Sequence, residues 1–442
     1  MKETMNWQFR DARAVWHPYT RQQDWLSDDP LVIERAEGVW LTDVSGRRFL
    51  DACGSLWVTT YRHGEPRLKA AVSRQLEELD HSTFFGATHT PGIRLAERLV
   101  ELAPASESDP RGLTRVFFGS DGASMVDAAL KLAYQFSVRS GRPRDLILHL
   151  ENSFHGDSIA ASSIMGGEQS QSAYGPLLMS TRRTTSPAPA DGLDPARAAA
   201  RALDDLEKVL AGCHERCCAL IVEAMVQAAG GMLPYHPAFL QGCRELADRY
   251  GFLLICDEIA AGVARTGQMW ATQHAGIVPD VMLCGKGLTG GVLPMSALLT
   301  GDHVADAFTG PGATAMFFHG HTYAANPLAC AAALENLAMA QELDLPAVAR
   351  DKGAVLGALL EPVAKHHAVR EVRRLGVMTG IELAASLPRA GFRVCAAAQE
   401  RGVWMRALGD VLVVMPPLAI TDDELAQLTA VIEASLEDVF GR

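Results

Sequence analysis

The apolar positions of this chain follow two periods. From about residue 65, short unbroken apolar runs alternate with stretches where apolar residues recur every three or four positions. The runs Arg115–Phe118, Leu146–His149, Ala219–Val222, Leu253–Cys256, Val281–Cys284 and Ser296–Leu299 have the length of strands buried on both faces. The stretches Leu68–Leu79, Gly92–Leu102, Ala123–Ser137, Pro195–Leu210, Pro237–Tyr250 and Pro327–Glu342 read as helices. Their alternation predicts an α/β fold with a mostly parallel sheet covered on both faces. Thr181–Asp194, rich in Pro, Ser, Thr and Ala, reads as a surface loop ahead of a helix.

Before residue 65 the chain is aromatic-rich and irregular, with one hairpin, Gly38–Asp43 and Gly46–Asp51 around Val44-Ser45. After about residue 335 it reads as helix, strands near Ala368–Leu375 and Met378–Leu383, then helix, strand and helix. The expected organisation is a large domain over 65–334 and a smaller α+β domain. The smaller one is built from 335–442 and joined by the N-terminal segment 1–64.

Composition narrows the function classes. The chain has 442 residues, 48% of them hydrophobic and 21% charged. That is an ordinary globular protein of two or three units at about 150 residues each. A net charge of −12 argues against nucleic acid or an anionic membrane as partner. No apolar run approaches the ~20 residues of a membrane span, and MKETMNWQFRDAR has no apolar core for a secretory signal. Nine scattered cysteines, several inside apolar runs, fit a reducing cytoplasm. The cluster from Cys213 to Cys218 has no second cluster at zinc-site spacing, so no metal is expected.

The chemistry starts with LLICDEI (Leu253–Ile259) and VMLCGKG (Val281–Gly287). Each delivers a charged residue where its apolar run stops, Asp257 and Lys286. Ligands of open α/β sheets bind just beyond the carboxyl ends of the strands. An acid and a lysine there suit pyridoxal 5'-phosphate (PLP). The lysine condenses with its aldehyde and the acid pairs with its pyridinium nitrogen. The alternative for these two segments alone is a surface ion pair. Gly119-Ser120-Asp121-Gly122-Ala123 between a strand and a helix forms an anion cradle, because free N–H groups and the helix dipole face the ligand. It matches neither the Walker nor the dinucleotide pattern. Phe154 either stacks on a planar cofactor or fills the core. His319-Gly320-His321-Thr322-Tyr323 either serves a phosphate or makes a polar turn. Trp16-His17-Pro18-Tyr19-Thr20 either lines a pocket or anchors the terminus. Arg406, in an apolar setting, needs an anion: a substrate carboxylate or a structural acid.

Taken in order from Trp16 to Pro417, these segments resemble the fold-type I, class III aminotransferases. Within them the chain is most similar to the 7,8-diaminopelargonate (DAPA) aminotransferases of biotin synthesis. CDEIAAGVARTG followed by GKGLTGG is the class mark, and WHPYT and WMR (Trp404–Arg406) are the narrower ones. The resemblance implies Lys286 and Asp257 as catalytic residues. It implies Gly122, Ala123, Phe154, Ile259, His321 and Thr322 as further contacts to PLP. Tyr19, Leu56, Trp57, Phe154, Gly320 and Arg406 are implied as substrate contacts, Arg406 holding a carboxylate. Thr322 matches a threonine that reaches the phosphate of the neighbouring subunit, which implies a homodimer with active sites at its interface. The implied reaction passes an amino group from a small-molecule donor to 8-amino-7-oxononanoate. Departures are Phe154 for a tyrosine, Leu56 for one of two tryptophans in some members, His321 for the proline of S-adenosylmethionine users, and Glu223-Ala224 for Glu-Pro. An ω-amine or ω-amino-acid transaminase using pyruvate is the near alternative. A non-catalytic PLP-fold protein is the distant one.

Overall fold

The computed structural model describes residues 7–25, 30–106, 111–167, 173–190, 192–311, 315–384 and 387–441. Its centre is a seven-stranded sheet, numbered here along the chain: β1 Arg115–Gly119, β2 Leu146–Leu150, β3 Arg182–Thr184, β4 Cys217–Glu223, β5 Leu253–Asp257, β6 Val281–Cys284 and β7 Ser296–Thr300. The spatial order is β1-β7-β6-β5-β4-β2-β3.

Side chains leave the strands alternately, so consecutive residues serve different cores. Leu253 and Ile255 join Met125, Ala129 and Ala133 of the helix Gly122–Arg139. Leu254 and Cys256 join Leu206 of the helix Pro195–Cys213 and Phe239 and Cys243 of the helix Ala238–Tyr250. Towards the other edge, Cys284 and Leu299 pack with Leu95 and Leu99 of the helix Thr90–Leu102 and with Cys330 and Leu337 of the helix Pro327–Glu342. This two-sided cover is why the strands read as unbroken apolar runs.

One feature completes the mostly parallel reading and one differs from it. β7 is antiparallel to both its neighbours, β6 and β1. No crossover helix lies between β6 and β7, and without one the chain can only turn back beside the strand it has left. The segment read as a surface loop also begins with β3, which pairs with β2 in parallel. Three residues, Arg-Arg-Thr, at a sheet edge carry no apolar run for pattern reading to detect.

The two ends of the chain meet. Ile33–Glu37, Trp40–Asp43 and Arg48–Asp51 form an antiparallel sheet that Val403–Trp404 completes in parallel. Val369–Leu375, Met378–Leu383, Val411–Val414 and Arg406–Leu408 form a second antiparallel sheet. Among the described residues no helix is long and apolar enough to cross a membrane.

Arg265 ties these parts together. Its guanidinium, 1% exposed, donates to the carbonyls of Thr59 (2.6 Å) and Pro416 (3.2 Å). Burial pulls its pKa down to about 10. Replacing it by methionine leaves two buried carbonyls without their donor. The expected loss for Arg265→Met is about 1.5–3 kcal/mol, read as a lower urea midpoint; an unchanged midpoint would refute the role.

Candidate active site

Five turns converge beyond the carboxyl ends of the parallel strands. β4 ends on Glu223, β5 on Asp257, and β6 runs through Gly285 into Lys286. In the parallel register Asp257 stands opposite Glu223 on one side and Leu283 on the other. β2 leads to the turn with Phe154 and His155, and β1 to Gly122 and Ala123. A cavity of about 160 Å³ lies among them, lined by Lys286, Asp257, Glu223, Phe154, Ile259 and Trp57 together with Gly122, Ala123, His155 and Gly156.

Asp257 is buried, and both its oxygens are occupied on the protein side. Oδ1 accepts the Ile259 N–H at 2.9 Å, and Oδ2 faces Nδ1 of His155 at 2.7 Å. Lys286 is half-buried, without a hydrogen-bonded acid among the described residues. Its Nζ lies 4.5 Å from the centre of the Trp57 ring. Burial lowers its pKa, against the opposing pull of Asp257 and Glu223.

The turn carrying Lys286 is strained. Lys286 has φ +40, a left-handed value that costs a side-chain-bearing residue about 1–3 kcal/mol. Neighbours hold it. Asn336 Nδ2 donates to the carbonyls of Gly287 (2.8 Å) and Leu288 (3.1 Å), and Thr60 Oγ1 donates to Gly287 (3.0 Å). Trp57 ends a second strained turn, in which Ser55, Leu56 and Trp57 all have positive φ. Asp51 fixes that turn by accepting the N–H groups of Cys53 (3.0 Å) and Ser55 (2.8 Å) and the Ser55 hydroxyl (3.1 Å), and it also meets His63 Nε2 at 2.8 Å.

The site fits PLP. Asp121 caps the helix Gly122–Arg139 by accepting the Ser124 N–H, which leaves the first-turn N–H groups without intrahelical partners. The backbone there is shaped for close approach: a Cβ at Gly156 would lie 2.4 Å from that of Ala123, and one at Gly122 3.1 Å from Ile259. An anion cradle, a flat ring, a buried acid and a poorly solvated amine thus share one small space. Among the described residues, no group of three or more His, Cys, Asp or Glu is placed to hold a metal ion.

Other residues named from the sequence lie outside this cavity. Leu56 is 48% exposed, and Gly320, Thr322 and Arg406 are exposed. His321 is half-buried, with Nδ1 unpartnered among the described residues. The Arg406 guanidinium has no hydrogen bond or ion pair among the described residues, so it is not the buried structural pair that its apolar setting suggested. Tyr19, at φ +51, donates its hydroxyl to Asp157, two residues past His155. Sequence reasoning missed His155, Glu223 as a cavity residue, Asn336, Thr60 and Asp51. The signal for His155 and Glu223 was present, since both stand just past strand ends, as Asp257 and Lys286 do.

The lowered pKa has a measurable sign. Burial favours the neutral amine, so Lys286 of the apoprotein releases its proton at lower pH than an ordinary lysine near 10.4. Competitive acylation across a pH series should give Lys286 a midpoint below those of the surface lysines. A midpoint equal to or above theirs counts against the geometry.

Comparison with known proteins agrees with this arrangement. The family profile described as "Aminotransferase class-III" matches residues 23–436. The adenosylmethionine-8-amino-7-oxononanoate aminotransferase of Nitratidesulfovibrio vulgaris is 40% identical over 96% of this chain and 80% of its own length. That of Aquifex aeolicus is 39% identical over 94% and 93%. Among solved structures, the enzyme of the same name from Methanocaldococcus jannaschii superposes with a TM-score of 0.92 at 31% identity, covering 98% of this chain and 99% of the other. An amine transaminase from an uncultivated Pseudomonas species, in its PLP-bound form, gives 0.90 at 34% over 96% and 99%. With the matching profile and relatives near 40% identity over almost all of its length, this chain belongs to the class III aminotransferases.

Proposed function

We propose that this protein is a PLP-dependent aminotransferase that moves an amino group onto 8-amino-7-oxononanoate, giving 7,8-diaminononanoate for biotin synthesis in the cytoplasm. The observation that carries transamination is the half-buried Lys286 amine sharing one cavity with Asp257 and an anion cradle. The acceptor rests on the relatives' names and on Arg406, an exposed guanidinium with no acid of its own among the described residues.

Each residue has a task in this reading. Gly122 and Ala123 N–H groups hold the phosphate, and Phe154 faces the ring. The Asp257 carboxylate keeps a proton on the ring nitrogen, and the contact with His155 Nδ1 fixes its direction. Bound PLP supplies an electron sink when a substrate C–H bond breaks. Lys286 Nζ, as a neutral amine, would accept that proton from the substrate carbon and pass it to the cofactor's carbonyl-derived carbon. Tyr19 and Arg406 receive the acceptor, and water reaching the cavity would supply the hydrolysis that ends each half-reaction.

The second subunit completes the site. Phe318, Tyr323, Met316, Phe85 and Tyr134 are 52–63% exposed. Lys131 and Gln135 bond the carbonyls of Phe318 and Met316, so helix and loop form one surface. A clustered apolar surface of this kind marks an interface. We place a second copy there, with Thr322 reaching the phosphate held by its partner.

Three outcomes are expected. Lys286→Ala abolishes turnover while the protein stays folded and dimeric; borohydride fixing the cofactor on another lysine would overturn the assignment. Phe318→Asp yields monomer that loses PLP; an active monomer in analytical ultracentrifugation contradicts the shared site. Arg406→Ala lowers kcat/KM for 8-amino-7-oxononanoate by about 10- to 150-fold, the worth of a charge-assisted contact of roughly 1.5–3 kcal/mol. A neutral ketone should be nearly indifferent. Equal losses on both acceptors would favour the ω-transaminase reading.

A further inference from the structure

Glu223 is the one ionisable group of the cavity without a task in this mechanism. It is 5% exposed and makes no ion pair among the described residues. Each of its oxygens accepts one backbone N–H: Oε1 that of Phe154 at 3.0 Å, and Oε2 that of Ala228 at 2.9 Å. Both donors belong to turns that line the cavity. Its own carbonyl accepts the Tyr235 hydroxyl at 2.7 Å, and that oxygen also accepts the Met225 N–H at 2.8 Å. The two turns touch directly as well, since a Cβ at Gly230 would lie 2.2 Å from the Asn152 carbonyl oxygen.

We infer that Glu223 is a positioning residue: its carboxylate staples the Phe154–His155 turn to the Ala228 turn at the sheet edge, setting the plane of Phe154 and the seat of His155 against Asp257.

The choice of side chain supports this. Two N–H groups converging on one side chain need two acceptors and no donor, which only a carboxylate offers; a glutamine would set its NH₂ against one of them. The acid is placed where a negative charge is costly, buried and in register with Asp257, and its two N–H bonds offset part of that cost. A side chain kept only for packing would not carry that cost.

The inference rests on the cofactor site and not on the identity of the acceptor. It is tested with Glu223→Gln, which keeps one acceptor, and Glu223→Ala, which keeps none. Amide hydrogen exchange on the full-length apoprotein should show Phe154 and Ala228 exchanging faster, on the order of 10-fold or more in the alanine variant and less in the glutamine variant. In the holoenzyme the visible circular dichroism of bound PLP should change, and its dissociation constant should rise by a similar factor. The kcat of both half-reactions should fall together, because donor and acceptor use the same ring. Partial rescue by glutamine in all three readouts supports the staple. Unchanged exchange at the two amides, or unchanged dichroism and PLP affinity, overturns it. A uniform rise in exchange across the chain would mean a purely structural role and also overturns it. The apoprotein readout stands even if the enzyme prefers another acceptor. Should the alanine variant not fold, the glutamine variant alone decides by the same measurements.

Discussion

The site depends on holding acids in a buried setting. Asp257 and Glu223 are each 5% exposed, and Lys286 is half-buried beside them. An uncompensated buried charge costs several kcal/mol. The compensation comes from the turns themselves: Ile259, Phe154 and Ala228 lend their N–H groups, and His155 its ring. Each charge therefore fixes a turn and each turn steadies a charge, so electrostatics and backbone shape at the sheet edge are one constraint.

That constraint concentrates strain. Lys286, Asn152, Met225, Ser55, Leu56 and Trp57 all hold positive φ at or beside the cavity. Such conformations persist only when the surroundings over-determine them. The surroundings are identifiable: Asn336 and Thr60 behind Lys286, Asp51 under the Trp57 turn, and the Tyr235 hydroxyl at Met225. Asn336 comes from the helix Pro327–Glu342 and Thr60 from the N-terminal segment, so remote parts of the chain converge on the turn that carries Lys286. Arg265, bonding Thr59 and Pro416, brings them into place.

Much of this was legible in the chain, for a physical reason. Strands buried on both faces leave apolar runs, and a run that ends in Asp257 or Lys286 marks the sheet edge where ligands bind. Bounds matched to within a few residues, as for Val281–Cys284 and Pro327–Glu342. Strand direction was less visible, because β7 has the same apolar face whichever way it runs. β3 escaped because an edge strand needs no apolar run. The supporting residues escaped for another reason. Asn336 and Thr60 act through hydrogen bonds to backbone far away in sequence, and no local pattern records a partner 49 or 227 positions distant.

The split between inner and outer residues bears on what the fold can decide. Inside the cavity the groups bond one another, and Phe154 is tied by its backbone N–H, a contact indifferent to whether its ring carries a hydroxyl. Leu56, His321, Thr322 and Arg406 lie outside that mesh, free to differ without disturbing it. Overall similarity accordingly does not separate chemistries. The Methanocaldococcus jannaschii DAPA-type enzyme and an ω-transaminase from Thermomicrobium roseum both superpose on this chain with a TM-score of 0.92. One backbone therefore carries enzymes of different substrate names, so what separates them lies in side chains and not in the course of the chain. Arg406 belongs to the outer group, an exposed guanidinium with no ion pair among the described residues.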